Sequence, residues 1–340
     1  MPLMTALVKK TPSRGINIEQ ITIPDPGKEE LLVEIICASI CGTDVGIYNW
    51  IPWAQSHVRP PLVIGHEIVG RVIAINSHTS SSIKEGDYIS SETHIYCGNC
   101  KQCNLGNKHI CENLELFGIT RNGGFADFAT VPIRTSWKND ASLTQEMMSI
   151  QEPLGNAVHA LSKVDIYGKR VLILGLGPVG LCLSVIAKHY GAAEIVAVEK
   201  SEYRRELAHK LGVNYVYETT PPSSQHSFDV IFEMSGNPDL IQLAFKCITA
   251  GGTLVAFGIP GDLIQINWGE AIINNEITIK SAFGRQIWST WSEVQKIMLN
   301  PKIDLKPLIT HRYSLKEIEE AIALMKSGKC GKVIISPEGV

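Results

Sequence analysis

No run of about twenty consecutive apolar residues occurs anywhere in this chain of 340 residues, so no segment can cross a bilayer as a helix. The opening MPLMTALVKKTPSRG lacks the apolar core of a secretory signal. Neither sign of charge dominates: 31 basic residues against 34 acidic ones leave a formal charge of -3. No block of Lys and Arg forms a stripe that could track phosphates, which argues against a nucleic-acid partner. These absences point to a soluble cytoplasmic protein. In a reducing compartment nine cysteines argue against a disulfide framework and for metal ligands or packing residues.

With 44% hydrophobic residues the chain can bury more than one core, and about two domains are expected. Up to about residue 150 it reads as short β-like runs broken by turns, at Leu31 to Ala38, Glu67 to Ala74, Asp87 to Ser91 and Phe125 to Val131. After Pro153 the texture changes to strand Arg170 to Leu174, helix Pro178 to about Tyr190, strand Glu194 to Val198 and helix Ser201 to Leu211. That alternation implies a parallel sheet. Gly191 and Gly212 fall at helix ends, Ser201 at a helix start, and Asn237-Pro238 reads as cap plus first helical residue.

Further strands are expected at Phe228 to Met234, Thr253 to Ile259, Glu276 to Ser281 and Lys332 to Ser336, with helices near Trp288 to Leu299 and Leu315 to Lys326. The tail is expected to rejoin the first domain. Between Tyr217 and Phe228 the segment TTPPSSQ leaves too little chain for the usual helical crossover. Ten extended residues reach roughly 33 Å, so a Pro-rich loop can make the crossing.

Gly175-Leu176-Gly177-Pro178-Val179-Gly180 follows a strand directly and opens a helix. In that setting Gly175 allows the tight turn, Gly177 lets backbone approach a pyrophosphate, and the helix start offers unpaired N–H groups to the anion. Glu199, at the end of the next strand, can accept from both adenosine ribose hydroxyls and would repel a 2′-phosphate. NAD is favoured over NADP, although Lys200 and Arg204 form a basic pair that can take the extra phosphate.

Cys97, Cys100, Cys103 and Cys111 supply four soft ligands within fifteen residues, enough to close a tetrahedral zinc shell with no open position. An iron–sulfur motif shares the first spacings but expects its fourth cysteine after three residues and then proline; here seven residues intervene and Glu112 follows. Cys41 in CGTD and the His66-Glu67 pair each follow or open a strand. Taken singly, a cysteine after a strand is ordinary packing and a His-Glu pair an ordinary hydrogen-bonded loop. Spacing alone does not bring them together.

The segments ICGTDVGIYNW, IGHEIVG, HIYCGNC, EPLGNAVH, GLGPVG, FDVIFEMSG, FGIPGD and ITHRYS resemble, over nearly the whole chain, the zinc-containing medium-chain dehydrogenases. CGTD followed by IYNW, and PLGNAVH, are similar to the threonine branch of that family. The resemblance implies an α/β protein: a GroES-like irregular β catalytic domain over residues 1–153, completed by 296–340, and a doubly wound Rossmann domain over 154–295. It also implies a homotetramer.

The reaction implied is oxidation of L-threonine at its β-hydroxyl with reduction of NAD. Cys41, His66 and Glu67 would hold a catalytic zinc, with Glu152 as an additional acid beside it. Thr43 would take the hydroxyl proton, and His94 resembles a residue lining the amino-acid pocket, its alternative being a surface-loop histidine. Cofactor contacts carry over to Val179, Phe257, Gly258, Ile259, Ala282 and Phe283, with Glu199 on the ribose and Arg204 near the adenine. Cys37, Cys182, Cys247 and Cys330 read as packing residues, and His159 and His189 as structural.

One departure stands out. Where the family carries a relay histidine a few residues beyond the ligand cysteine, this chain has Gly46. A positioned acid or base contributes typically 10²- to 10⁴-fold, so its loss can slow turnover without removing the chemistry. Gly46→His is therefore expected to raise turnover near neutral pH in a pH–rate profile; identical profiles would show that another route carries the proton.

Overall fold

The computed structural model describes residues 1–78, 80–222 and 225–337. Its first half is organised by the strand Glu30–Ser39, in which Leu31, Val33, Ile35 and Cys37 are buried and the residues between them half-buried. That period-2 pattern is what a sheet with one covered face requires. The strand pairs antiparallel with Glu67–Asn76, from Glu30 opposite Asn76 to Ser39 opposite Glu67. It also pairs with Phe128–Pro132 and, at its far end, with Lys332–Ser336, where Ile334 faces Ser39. Ser136–Lys138, Tyr88–Ser91 and Ile309–Ser314 complete a seven-stranded sheet, so strands from both ends of the chain share one ladder.

This register places the site. Cys41 lies two residues beyond Ser39, His66 one residue before Glu67, and Lys332 two residues before Ile334, so three strand ends deliver their side chains to one corner.

The second half is a six-stranded parallel sheet in the order Tyr215–Tyr217, Glu194–Val198, Arg170–Leu174, Phe228–Glu233, Ile248–Ala256, Thr278–Ser281. Helices Pro178–His189, Glu202–Lys210 and Pro238–Cys247 make crossovers, with ends as the sequence marks them. Ser201 Oγ accepts from Arg204 N, Asn237 Oδ1 from Asp239 N and Leu240 N, and Gly191 takes the left-handed backbone at φ 81°. The connection from Tyr217 to Phe228 carries no helix among its described residues; Ser223 and Ser224 lie outside them.

Several ends differ from expectation. The strand expected to run to Ile259 ends at Ala256, because the N–H groups of Phe257 and Gly258 both turn to the carbonyl of Glu233. The strand expected from Phe125 begins at Phe128, since Phe125 and Asp127 donate instead to Ile64 and Thr5 of neighbouring segments. The last sheet strand starts at Thr278 rather than Glu276, whose backbone is left-handed at φ 47°. The helix expected from Leu315 opens with one 3-10 turn and continues as Ile318–Ser327.

The turn before His66 is set by Gly65, at φ 94°, whose Cα lies so close to the buried Phe125 that an added Cβ would stand 2.0 Å from the ring. Gly65→Ala is expected to cost roughly 2–5 kcal/mol, a left-handed backbone penalty plus overpacking. Gly86, at φ 89° with nothing within 4 Å, provides the comparison. Gly86→Ala should show only the backbone part, about 1–2 kcal/mol. Equal losses in urea unfolding would show that Phe125 yields freely.

Candidate active site and metal centres

Four sulfurs converge in the lobe that follows the short strand His94–Ile95. Cys97 and Cys111 Sγ are 3.5 Å apart, Cys100 and Cys111 3.8 Å, and Cys97 and Cys103 4.0 Å. A disulfide needs about 2.05 Å, whereas a tetrahedron with Zn–S of about 2.3 Å has edges near 3.8 Å. The peptide N–H of Asn99 helps pull Cys97 down to about 6, while burial pushes Cys103 up to about 12. Four thiolates cannot share this space without a cation, and the donor set fits zinc.

At the strand corner a second triplet forms: Cys41 Sγ, a ring nitrogen of His66 and a carboxylate oxygen of Glu67 all lie within 4.8 Å of one another. Cys41 stands at the start of helix Gly42–Asn49, and Asp44 Oδ2 accepts its N–H at 2.8 Å. The other Asp44 oxygen lies 3.5 Å from His66 Nδ1, and neither atom has a hydrogen-bond partner among the described residues. Glu67 Oε2 receives Lys332 Nζ and Ser39 Oγ, while its Oε1 is buried without a partner. An unsatisfied buried carboxylate oxygen beside a thiol and an imidazole is what a bound cation would satisfy, so these residues fit a metal ion.

The charges respond to one another. Burial opposes protonation of His66, but Asp44 and Cys41 raise its pKa well above the ordinary value. Burial raises Glu67 against the pull of Lys332. Thr43 Oγ1 lies 3.6 Å from Cys41 Sγ, at the half-exposed rim.

Glu152 is not one of the three converging donors. Its Oε1 takes Arg285 Nη1 and, at 3.3 Å, Thr93 Oγ1; its Oε2 takes Asn156 Nδ2 at 3.2 Å. Burial alone would raise its pKa, yet Arg285 holds it below the usual carboxylate range. Arg285 also binds Glu92 through Nε at 2.8 Å and Nη2 at 2.6 Å. Glu92 in turn binds His94 Nδ1 at 2.6 Å. His94 is therefore buried, at 5% exposure, and the surface-loop alternative does not hold. Its ring meets Phe283 edge to face at 5.2 Å.

The residues expected around a dinucleotide gather along one sheet edge. Leu174 is level with Val198 and Glu233, Val198 with Tyr217, Glu233 with Ala256, and Ala256 with Ser281. Gly175, Glu199, Phe257 and Ala282 thus emerge side by side at the carboxyl ends of parallel strands, where open α/β sheets take ligands. Gly175 is at φ 95°, and a Cβ on Gly180 would meet Gly175 O at 2.1 Å, so helix and turn can touch only without side chains. Gly177 caps the helix, Pro178 begins it, and a Cβ on Gly177 would meet nothing within 4 Å. Val179 packs partly buried behind them.

Glu199 already holds backbone, accepting Leu176 N at 2.8 Å and Ser201 N at 2.9 Å, which fixes its carboxylate at the turn. Arg204 Nε donates to Cys330 O at 2.9 Å. Gly258 lies against Gly236, leaving Ile259 69% exposed and Phe283 45% exposed at the mouth. Cys37, Cys182, Cys247 and Cys330 are buried, as packing residues should be.

Sequence reasoning passed over Asp44, Glu92, Arg285 and Lys332. Asp44 had a signal, three residues after Cys41 where a capping carboxylate belongs, and Lys332 another, as a charge opening the apolar strand KVIIS. Glu92 and Arg285 are 193 residues apart and had none. Outer partners of metal ligands typically hold 10- to 100-fold in metal affinity, so Lys332→Met should weaken a zinc ion at Cys41, His66 and Glu67 by about that factor. The four-cysteine site should be unaffected in the same chelator competition; equal release from both variant and parent would refute the role of Lys332.

The alcohol dehydrogenase GroES-like domain model matches residues 27–140, and the zinc-binding dehydrogenase model matches residues 178–300. L-threonine 3-dehydrogenase of Caldanaerobacter subterraneus subsp. tengcongensis is 41% identical, covering 98% of this chain and 99% of the relative. That of Bacillus subtilis is 38% identical over 98% and 99%. Among solved structures, an alcohol dehydrogenase from Thermotoga maritima superposes with TM-score 0.88 at 25% identity, covering 99% of this chain and all of that one (100%). 2R,3R-butanediol dehydrogenase from Bacillus subtilis gives 0.86 at 25% identity, covering 98% and 99%. No helix among the described residues is long and apolar enough to cross a membrane. With a GroES-like β domain, a parallel nucleotide-binding sheet and relatives of this identity over nearly its whole length, the chain belongs to the zinc-binding alcohol dehydrogenase family.

Proposed function

We propose that this protein oxidises the β-hydroxyl of L-threonine to 2-amino-3-oxobutanoate while NAD becomes NADH and one proton is released. The observation that carries the reading is the meeting of Cys41, His66 and Glu67 within 4.8 Å, in a chain 38–41% identical to proteins named L-threonine 3-dehydrogenase. We assign Cys41, His66 and Glu67 to a catalytic zinc and Cys97, Cys100, Cys103 and Cys111 to a structural one. Zinc at the first set supplies Lewis acidity toward the hydroxyl oxygen, and NAD supplies the hydride acceptor.

The protein's own groups divide the remaining work. Thr43 Oγ1, 3.6 Å from Cys41 Sγ, receives the hydroxyl proton and passes it outward. Arg285 keeps Glu152 ionised and turned away from the three donors, which leaves a position for substrate. His94 lines the amino-acid side. The Gly175–Gly180 turn takes the pyrophosphate, Glu199 the adenosine ribose with Arg204 near the adenine, and Phe257, Gly258, Ile259, Ala282 and Phe283 border the nicotinamide.

Residues 1–153 with 296–340 form the catalytic domain in this reading and 154–295 the nucleotide domain. Supporting it, the strands Ile309–Ser314 and Lys332–Ser336 share the seven-stranded sheet. A homotetramer in the cytoplasm follows from the family resemblance. A second reading, a polyol or secondary-alcohol dehydrogenase, draws on the likeness to butanediol dehydrogenase.

A panel following NADH absorbance separates them: L-threonine, 2,3-butanediol and sorbitol, each with NAD and with NADP. The highest kcat/KM is expected for L-threonine with NAD. Strong turnover of butanediol or sorbitol with none of threonine would overturn the assignment.

A further inference from the structure

Resting on the threonine reading, we propose that Glu92 is a positioning residue for substrate recognition: it holds His94 as the Nδ1–H tautomer, so that the Nε2 lone pair accepts a hydrogen bond from the α-ammonium group. Glu92 has no solvent exposure. Its Oε1 accepts from the His94 peptide N–H at 2.9 Å and Arg285 Nη2 at 2.6 Å and lies 2.6 Å from His94 Nδ1. Its Oε2 receives Arg285 Nε at 2.8 Å and Trp291 Nε1 at 2.6 Å.

A carboxylate that accepts from the His94 peptide N–H, twice from Arg285 and from Trp291 is ionised and can only accept, so the proton between Oε1 and the imidazole belongs to Nδ1. Arg285 Nη2, 3.1 Å from Nδ1, also only donates and has Glu92 for its acceptor. A neutral imidazole protonated at Nδ1 presents a bare lone pair at Nε2. Gly284 borders that ring edge: a Cβ there would stand 2.6 Å from Nε2 and 2.3 Å from Cε1. Only a glycine lets the backbone pass this close to the ring.

Charge selects the donor. One guanidinium, Arg285, serves two carboxylates, Glu92 and Glu152, so these three groups together carry one net negative charge. A cationic N–H donor is favoured beside it over an alcohol hydroxyl, and a second anion is disfavoured. Val69 stands opposite Ser90 in an antiparallel pair, so Glu67 and Glu92, two residues away on each side, leave the same end of that pair. The ammonium subsite and the zinc triplet are thus two ends of one polar cluster, as a 2-amino-3-hydroxy acid requires.

Glu92→Gln in the zinc-loaded enzyme tests this. The Gln amide can donate to Nδ1 and turn the Nε2–H outward, against the ammonium group. The kcat/KM ratio of L-threonine over 3-hydroxybutyrate, the same skeleton without the amine, is expected to fall about ten-fold or more, the worth of a charge-assisted hydrogen bond. A proportional fall for both substrates would mean that Glu92 merely anchors Arg285, and would overturn the proposal. A histidine-selective 15N spectrum of the unmodified enzyme, with His94 assigned through His94→Asn, reads the tautomer directly whether or not the glutamine variant folds. An Nε2–H tautomer there overturns the proposal as well. If the unmodified enzyme leaves threonine untouched, the functional reading is what fails, and the spectrum still decides the role of Glu92.

Discussion

The buried guanidinium of Arg285 ties the two halves of the molecule together through two carboxylates, on top of the apolar core that they share. It leaves the parallel sheet just after the strand Thr278–Ser281 and reaches Glu92, one residue beyond the strand Tyr88–Ser91 of the other sheet, and Glu152 in the helix Gln151–Leu161. Three segments far apart in sequence are pinned by one planar fork. Burying such charges is expensive, and a well-packed apolar replacement is often as stable. What the ionic version supplies is direction: a guanidinium has donors at fixed angles, so Glu92 and Glu152 cannot wander. Gly155 makes the approach possible, since a Cβ there would lie 2.6 Å from Arg285 Cδ.

Around that contact the two metal-ligand sets are built by different means. The proposed site of Cys41, His66 and Glu67 is a product of β register: three strand ends stop level with one another, and these three residues, with Lys332 behind Glu67, project from the stops. The four-cysteine set is local, made by one lobe folding on itself. The lobe is nevertheless not isolated, because Tyr96, Cys100 and Cys111 pack with Ile287 and Trp288, two and three residues beyond Arg285. Trp137 adds a stack of indoles with Trp288 and Trp291, and Trp291 ends on Glu92. A metal that closes the lobe therefore also stiffens the segment that carries Arg285.

Legibility in the sequence followed the range of the interaction. The glycine turn, the helix caps at Ser201 and Asn237, the crossing after Tyr217, helix-free among its described residues, and the cysteine lobe are all local, and residue type at short spacing predicts them. The convergence of Cys41 with His66 was reached only through family resemblance, because it arises from pairing Ser39 with Glu67 across 28 positions. The Glu92–Arg285–Glu152 cluster was illegible for the same reason in stronger form: no periodicity links positions 193 and 133 apart. Strand ends were misjudged where backbone donors switched partners, as at Phe257 and Phe125, a choice made by tertiary neighbours and not by propensity.

Gly46 shows how such a cluster bears on the proposed reaction. It is buried inside the helix Gly42–Asn49, and a Cβ placed on it would stand 3.0 Å from Ile51 Cδ1. A side chain placed there presses on the tip of Ile51, which must give way before a histidine can act as the relay expected of Gly46→His. The path from Thr43 must then leave through groups other than residue 46. Thr43 itself sits at a half-exposed rim, where solvent can reach its hydroxyl. An exit through water at that rim needs no second titratable side chain, so Glu92, Arg285 and Glu152, all buried, are not required to carry the proton.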